Sequence, residues 1–184
     1  AEQHNRAVEN DEPTQQISLP TSLPYGRYTL TVWGNMESED PLGEDATQAE
    51  MEAAGAAAND IYMASGTLDY RYGHDRFTLG LERTKGNLFI RAEGLPDNID
   101  FSTKNIEDVY RFVDNSFTYS NLTNVETALD WTVQNEIETQ TLMCPSPTFE
   151  GSTLSVVFID KSAVENRERA TSYPTLVPQN VRIT

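Results

Sequence analysis

Apolar and polar side chains alternate with a period of two over residues 27–34. Tyr28, Leu30 and Val32 fall on one side, and Arg27, Thr29, Thr31 and Trp33 on the other. That pattern predicts a half-buried antiparallel strand, entered from the Pro24-Tyr25-Gly26 turn. The alternation returns in Phe77, Leu79 and Leu81 against Thr78, Gly80 and Glu82, and again in Leu88, Ile90 and Ala92 against Phe89, Arg91 and Glu93. Thr84-Lys85-Gly86-Asn87 lies between these two runs, so together they predict a hairpin, ended by Gly94-Leu95-Pro96-Asp97-Asn98. Further strands are expected from near Ile17, over 61–70, over Ser116–Ser120 and over Glu138–Leu142. In Thr153–Asp160, Leu154, Val156 and Phe158 face one side while Val157 and Ile159 face the other. Apolar residues on both faces predict a strand covered on both sides. Val181 and Ile183 read as a last strand, after a charged loop over 161–172.

Two stretches depart from this pattern. Ala46–Ala58 is alanine-rich, with Asp45 or Thr47 available as an N-cap, and predicts one short helix weakened by Gly55. Residues 97–115 carry both periods. Ile106, Val109, Tyr110 and Val113 have helical spacing, whereas Tyr110, Phe112 and Asn115 suit a strand, so the element type there stays open.

Turn signals at sandwich-like intervals between about eight strands predict an all-β, antiparallel β-sandwich of about 7–8 strands with one short helix. Residues 17–184 form a single domain in this reading, preceded by a polar N-terminal arm over 1–16 with Glu9, Asp11 and Glu12 beside Pro13. The expected core is Tyr28, Leu30, Val32, Phe77, Leu79, Leu81, Leu88, Ile90, Leu154, Val156 and Phe158.

Charge narrows the function. The 184 residues carry 13 Lys and Arg against 29 Asp and Glu, a net charge of −16. Such a surface repels phosphate backbones and anionic lipid headgroups, so no nucleic acid partner and no electrostatic membrane binding are expected. A lone Cys144 cannot form an internal disulfide. No apolar run approaches the roughly 20 residues of a membrane helix, and no signal-peptide core stands at the start. A chain that begins at Ala1 is expected to have lost a leader.

Candidate chemistry is sparse. His4 and His74 are the two histidines and form no ligand-spaced pair. His74, in Tyr72-Gly73-His74-Asp75, reads as a loop residue. Glu37, Glu39, Asp40, Glu44 and Asp45 form an acidic loop around Pro41, without the spacing of a calcium loop. Gly151-Ser152 opens a strand and is no nucleophile elbow, and Cys144, between Met143 and Pro145, reads as a small apolar residue at a strand end. Gly80 and Gly86 form no phosphate loop. With 29 acids, chance pairs of carboxylates carry no signal for a glycosidase. No catalytic, cofactor or metal residue is therefore nominated. A sugar platform would draw on Tyr70, Tyr72, Phe77, Phe101, Tyr110, Phe112, Phe117, Tyr119 and Trp131, residues whose usual fate is core packing. Asn121-Leu122-Thr123 fits a glycosylation sequon, which matters in a eukaryotic secretory setting.

Leu23-Pro24-Tyr25-Gly26-Arg27-Tyr28-Thr29-Leu30-Thr31-Val32-Trp33-Gly34-Asn35 resembles the LP-x-G-x-Y-x-x-x-x-W-G-N stretch of the Bacteroidetes-type (type V) fimbrial anchor and accessory subunit family. Asp60-Ile61-Tyr62-Met63-Ala64-Ser65-Gly66 looks like that family's D-L-F-x-G element. Leu81-Glu82-Arg83-Thr84-Lys85-Gly86-Asn87-Leu88-Phe89-Ile90-Arg91-Ala92-Glu93-Gly94-Leu95 resembles its L-x-R-x-x-x-x-I-x-V-x-x-x-G-L hairpin. The likeness covers residues 19–95. It implies a transthyretin-like β-sandwich, export as a lipoprotein, a place at the cell outer membrane and surface, and no enzyme activity or cofactor. Residues 1–16 offer neither the lipid-bearing Cys nor the apolar first strand of family members, so lipid anchoring is implied by the resemblance alone. Some fimbrial systems trim a leading arm after an Arg, and Arg6 is available for that.

The expected function is thus a non-enzymatic fimbrial accessory or anchor subunit, taking part in assembly and adhesion by strand addition with other fimbrial subunits. The alternative is a carbohydrate- or matrix-binding module of a surface lipoprotein, with a host glycan or protein as partner. A third reading, an enzyme with an acidic site, requires a deep pocket with two convergent carboxylates.

Overall fold

The computed structural model describes residues 2–7, 13–130, 135–147, 153–160 and 181–183. Its regular elements are all strands: β1 (Gly26–Gly34), β2 (Gln48–Glu50), β3 (Tyr62–Tyr70), β4 (Glu82–Arg83), β5 (Gly86–Glu93), β6 (Phe101–Asp114), β7 (Tyr119–Asp130), β8 (Glu136–Met143), β9 (Leu154–Ile159) and β10 (Val181–Ile183). Every pairing is antiparallel. One sheet runs β1-β3-β4 and a second runs β10-β5-β8. In the third, β6 pairs with β7 along one side. On its other side it pairs with β9 through residues 101–106 and with β2 through 112–114.

The second and third sheets share a buried layer. Ala92 of β5 and Ile137 of β8 cluster with Phe158 of β9 and with Leu95 and Ile99 of the intervening loop. A larger cluster joins Ala49, Met51, Ala56 and Ile61 to Ile106, Val109, Val113, Val125 and Cys144, with Trp33 and Leu88 packed against it. Of the expected core, Ile90 and Phe158 are buried; Leu88, Leu154 and Val156 pack half-buried against it. Tyr28, Leu30, Val32 and Leu79 are half-buried elsewhere, and Phe77 and Leu81 are exposed.

The open stretch 97–115 resolves as β6, and a bulge explains its double period. Ser102, Lys104 and Ile106 point inward on even positions. The register then shifts between Ile106 and Val109, where Asp108 has φ 55°, and Val109 and Val113 point inward on odd ones. A phase slip of one residue turns strand spacing into apparent helical spacing.

The helix expected over Ala46–Ala58 is not formed. Ala46 (φ 55°) and Gly55 (φ 85°) sit in the left-handed region, and the Asp45 carboxylate accepts from Thr47 N in a local turn instead of capping a helix. Residues 48–50 are drawn into the β6 ladder, with Ala49 opposite Val113, and Met51 N donates to Arg111 O. Residues 53–59 make isolated turns, such as Ala56 N to Ala53 O and Asn59 N to Ala56 O.

The hairpin expected between 77–82 and 88–93 also fails. β5 pairs with β8 and β10, whereas β4 pairs with β3. The segment meant as its turn is buried at Thr84 and Lys85, and carries the chain from one sheet to another. The expected strand over Ser116–Ser120 is mostly a turn: the Asp114 carboxylate accepts from Ser116 N and Thr118 N, and β7 starts at Tyr119. No strand forms near Ile17, which is exposed. The charged loop over 161–172, Gly151-Ser152 and Trp131 lie outside the described residues.

Candidate functional site

Among the described residues the first sheet has open backbone on both its sides, while β7 and β8 are each open on one. β1 and β3 pair over nine residues, from Gly26 opposite Tyr70 to Gly34 opposite Tyr62. One face turns to the body: Trp33 Nε1 donates to Ala46 O (2.9 Å), and Asn115 Nδ2 donates to Thr31 Oγ1 (3.2 Å). The opposite face carries Tyr28, Leu30 and Val32 beside Leu68, Gly66 and Ala64. Leu79 and Leu81 lie over it. A Cβ on Gly66 would stand 2.8 Å from Leu79 Cδ2, and one on Gly34 would stand 3.3 Å from Leu81 Cδ1. Both glycines are seats for leucine side chains. Among the described residues no strand pairs with the outer edge of β1, and β4 covers the outer edge of β3 at Tyr62 and Met63 alone.

The root of this ribbon is pinned tightly. Arg83 donates through Nε and Nη2 to the Asp60 carboxylate at 2.6–2.9 Å, and Tyr62 Oη adds a bond of 2.9 Å. These bonds, led by that from the Arg83 guanidinium, hold the Asp60 carboxyl below its usual range. Thr84 gives both its N–H (3.0 Å) and its Oγ1–H (2.8 Å) to Ile61 O, and Tyr119 Oη donates to Thr84 O (2.8 Å).

Next to it, the buried Lys85 ammonium donates to Met51 O (2.9 Å), Ala56 O (2.6 Å) and Ala57 O (3.0 Å). All three donors of an ammonium group are thus used on the loop where a helix was expected. Burial still pushes the Lys85 pKa down, against the opposing pull of Glu52. Glu52 is itself pushed up, because its burial outweighs the attraction of Lys85, and its Oε1 is buried without a hydrogen-bond partner among the described residues.

Ionised Glu52 therefore costs stability at neutral pH. A carboxyl with a raised folded pKa destabilises above that pKa, and the cost vanishes below the unfolded value near 4.5. Glu52→Gln is expected to stabilise the fold at pH 7 by a fraction of a kcal/mol once solvent screening is counted, and so to raise the thermal midpoint slightly. The gain should disappear at pH 4, which melting curves at the two pH values will check.

Cys144 is buried against this cluster, and burial pushes its thiol up to about 12. It is accordingly a packing residue with no thiolate to offer. Ellman's reagent at pH 8 should leave it unmodified in the native protein and label it fully in guanidinium; fast labelling of the native form would contradict this placement.

The remaining candidate chemistry is scattered. His4 stands 3.6 Å from Glu2 in the N-terminal arm, and Glu2 also accepts from Thr21 and Ser22. His74 closes a tight turn with Arg71. Among the described residues no group of three His, Cys, Asp or Glu could hold a metal ion. Of the candidate platform aromatics, Tyr110 and Tyr119 stack at 5.9 Å against the core. Phe101, Phe112 and Phe117 are half-buried. Tyr70 meets Tyr25 edge-on at 5.1 Å at the far end of the ribbon, where Tyr25 is 62% and Tyr72 89% exposed. Sequence reasoning passed over Tyr25 and the open ribbon edges. Gly34 and Gly66 inside apolar strand runs were the available sign that something lies close over them.

Searches against family models, curated proteins and solved structures return no match for this chain.

Proposed function

We propose that this protein is a surface assembly subunit of the type V fimbrial kind, built as a transthyretin-like sandwich, that joins partner subunits by strand addition at the β1–β3 ribbon. One observation carries the reading: nine residues of β1 present an edge that no strand covers among the described residues. Natural sheets shield such edges, and one left open recruits another chain through its backbone N–H and C=O groups. The partners are other fimbrial subunits, and the setting is the cell outer membrane. Chemistry by reaction plays no part in this reading; contact does the work.

Deleting the gene in its host tests it. Surface filaments seen by negative-stain microscopy should be lost or altered in length, and cross-linking on intact cells should recover a subunit joined through residues 26–34 or 62–70. Unchanged filaments together with no cross-linked subunit would sink the proposal.

A carbohydrate- or matrix-binding role is favoured by a different observation, the exposed Tyr25 and Tyr72 at the ribbon's far end. Tyrosine offers a sugar both an apolar face and a hydroxyl. Glycan-array binding that is lost in Tyr72→Ala, with filaments unaffected, would select this second reading.

A further inference from the structure

The segment between His74 and Glu82 is no strand, yet it lies in the register of a hairpin without its ladder. Arg71 bridges to His74, Met63 pairs with Glu82, and Tyr62 pairs with Arg83. These pairs share one continuous register across the Tyr72-Gly73 turn. Residues 64–70 thus stand opposite residues 75–81, with equal numbers on each side and no residue to spare. Yet no backbone hydrogen bond joins the two segments between those end points among the described residues. What holds 75–81 in place is side-chain contact: Leu79 on Gly66, and Leu81 on Gly34. The hold is partial, since Phe77 is 41% and Leu81 47% exposed.

We propose that the outer edge of β3, Ala64–Tyr70, is the acceptor for an incoming strand, and that residues 75–81 are its displaceable cover. This rests on the strand-addition reading and names its site. A cover without a ladder loses a few half-solvated side-chain contacts on leaving. The strand that replaces it gains the backbone bonds that the cover never made. The occupant is an extended segment of a partner chain with apolar side chains at alternate positions. It must continue the face of Leu30, Val32 and Leu68, place a leucine-sized group over Gly66, and turn polar residues to the face of Thr29 and Thr67. An excess of acids would disfavour it against a chain of net charge −16. Residues 76–81 of this chain, Arg-Phe-Thr-Leu-Gly-Leu, have this pattern and supply the probe.

The register sets Thr67 opposite Thr78, and both are exposed. In a Thr67→Cys/Thr78→Cys variant, oxidation tethers the cover to β3 and reduction frees it, so one folded protein serves as both test and control. A capped peptide of residues 76–81 is titrated against both forms, with hydrogen exchange as the readout. In the reduced form the peptide should slow exchange at residues 64–70 and speed it at 75–81. Oxidation should weaken its binding by at least about tenfold. Leu79→Asp, which unseats the cover and leaves β3 untouched, should tighten it. Protection confined to residues 26–34 in both redox states would overturn the assignment to β3 while leaving strand addition standing at β1. Equal binding and equal protection of 64–70 in both states would overturn the role of the cover. Protection at neither edge in either state would overturn strand addition itself.

Discussion

A Lys85→Met variant is expected to lose about 3–5 kcal/mol of unfolding free energy, and the loss comes from the loop it leaves behind. Methionine fills much the same volume and removes a buried charge, which taken alone favours the variant. Against that, the carbonyls of Met51, Ala56 and Ala57 all accept from the ammonium group. Without it Met51 O is left buried and Ala57 O half-buried with no donor among the described residues, at roughly 1–3 kcal/mol for each such group, while Ala56 O keeps only the bond from Asn59 N. The loop from Met51 to Asn59 has isolated turns and no helix to fall back on, so it must rearrange to recover water. Denaturant unfolding of the two proteins measures the difference. A loss under about 1 kcal/mol would mean that these carbonyls find other partners.

Lys104→Met is expected to move stability the opposite way, by about 1–3 kcal/mol upward. Lys104 is as buried as Lys85, but among the described residues its ammonium donates to Thr139 Oγ1 alone, at 3.2 Å. Burial pushes its pKa below 10.5, and among the described residues no carboxylate opposes this. Two of its three protons find no acceptor among the described residues. For a lysine with a depressed folded pKa, the unfolded chain holds more protons between that value and 10.5. Stability therefore rises with pH through this window. The advantage of Lys104→Met should accordingly shrink between pH 7 and pH 10.5, as the wild-type amine sheds its proton. Unfolding curves at the two pH values check both sign and trend. Two lysines of equal burial thus differ in sign through the acceptors around them.

Much of the strand content was legible. Alternation at Tyr28, Leu30 and Val32, at Leu88, Ile90 and Ala92, and at Leu154, Val156 and Phe158 placed β1, β5 and β9 within a residue or two. Periodicity reports which side a residue faces, however, and not which strand lies beside it. Phe77, Leu79 and Leu81 do alternate, but their neighbour is β3 and not β5, because the chain dives inward at Thr84 and Lys85. A lysine in a presumed turn gives no hint that it will be buried, since the carbonyls that hold it lie some thirty residues earlier in sequence. Alanine propensity at 46–58 was overridden in the same way, by the β6 edge that takes Ala49 and by Lys85. The candidate site was legible only as two glycines in odd places. An unzipped hairpin is a matter of hydrogen bonds not made, which no pattern of side chains encodes.

The central placing of β6 has a kinetic consequence. Its ladder needs Gln48–Glu50 from early in the chain and Leu154–Ile159 from late in it. Such distant closures must be completed before the sheet rewards them, so native structure should consolidate slowly and only after Leu154–Ile159 has been made. A nascent polypeptide of this kind stays pliable until Leu154–Ile159 has emerged, and hardens only once those residues have joined the ladder.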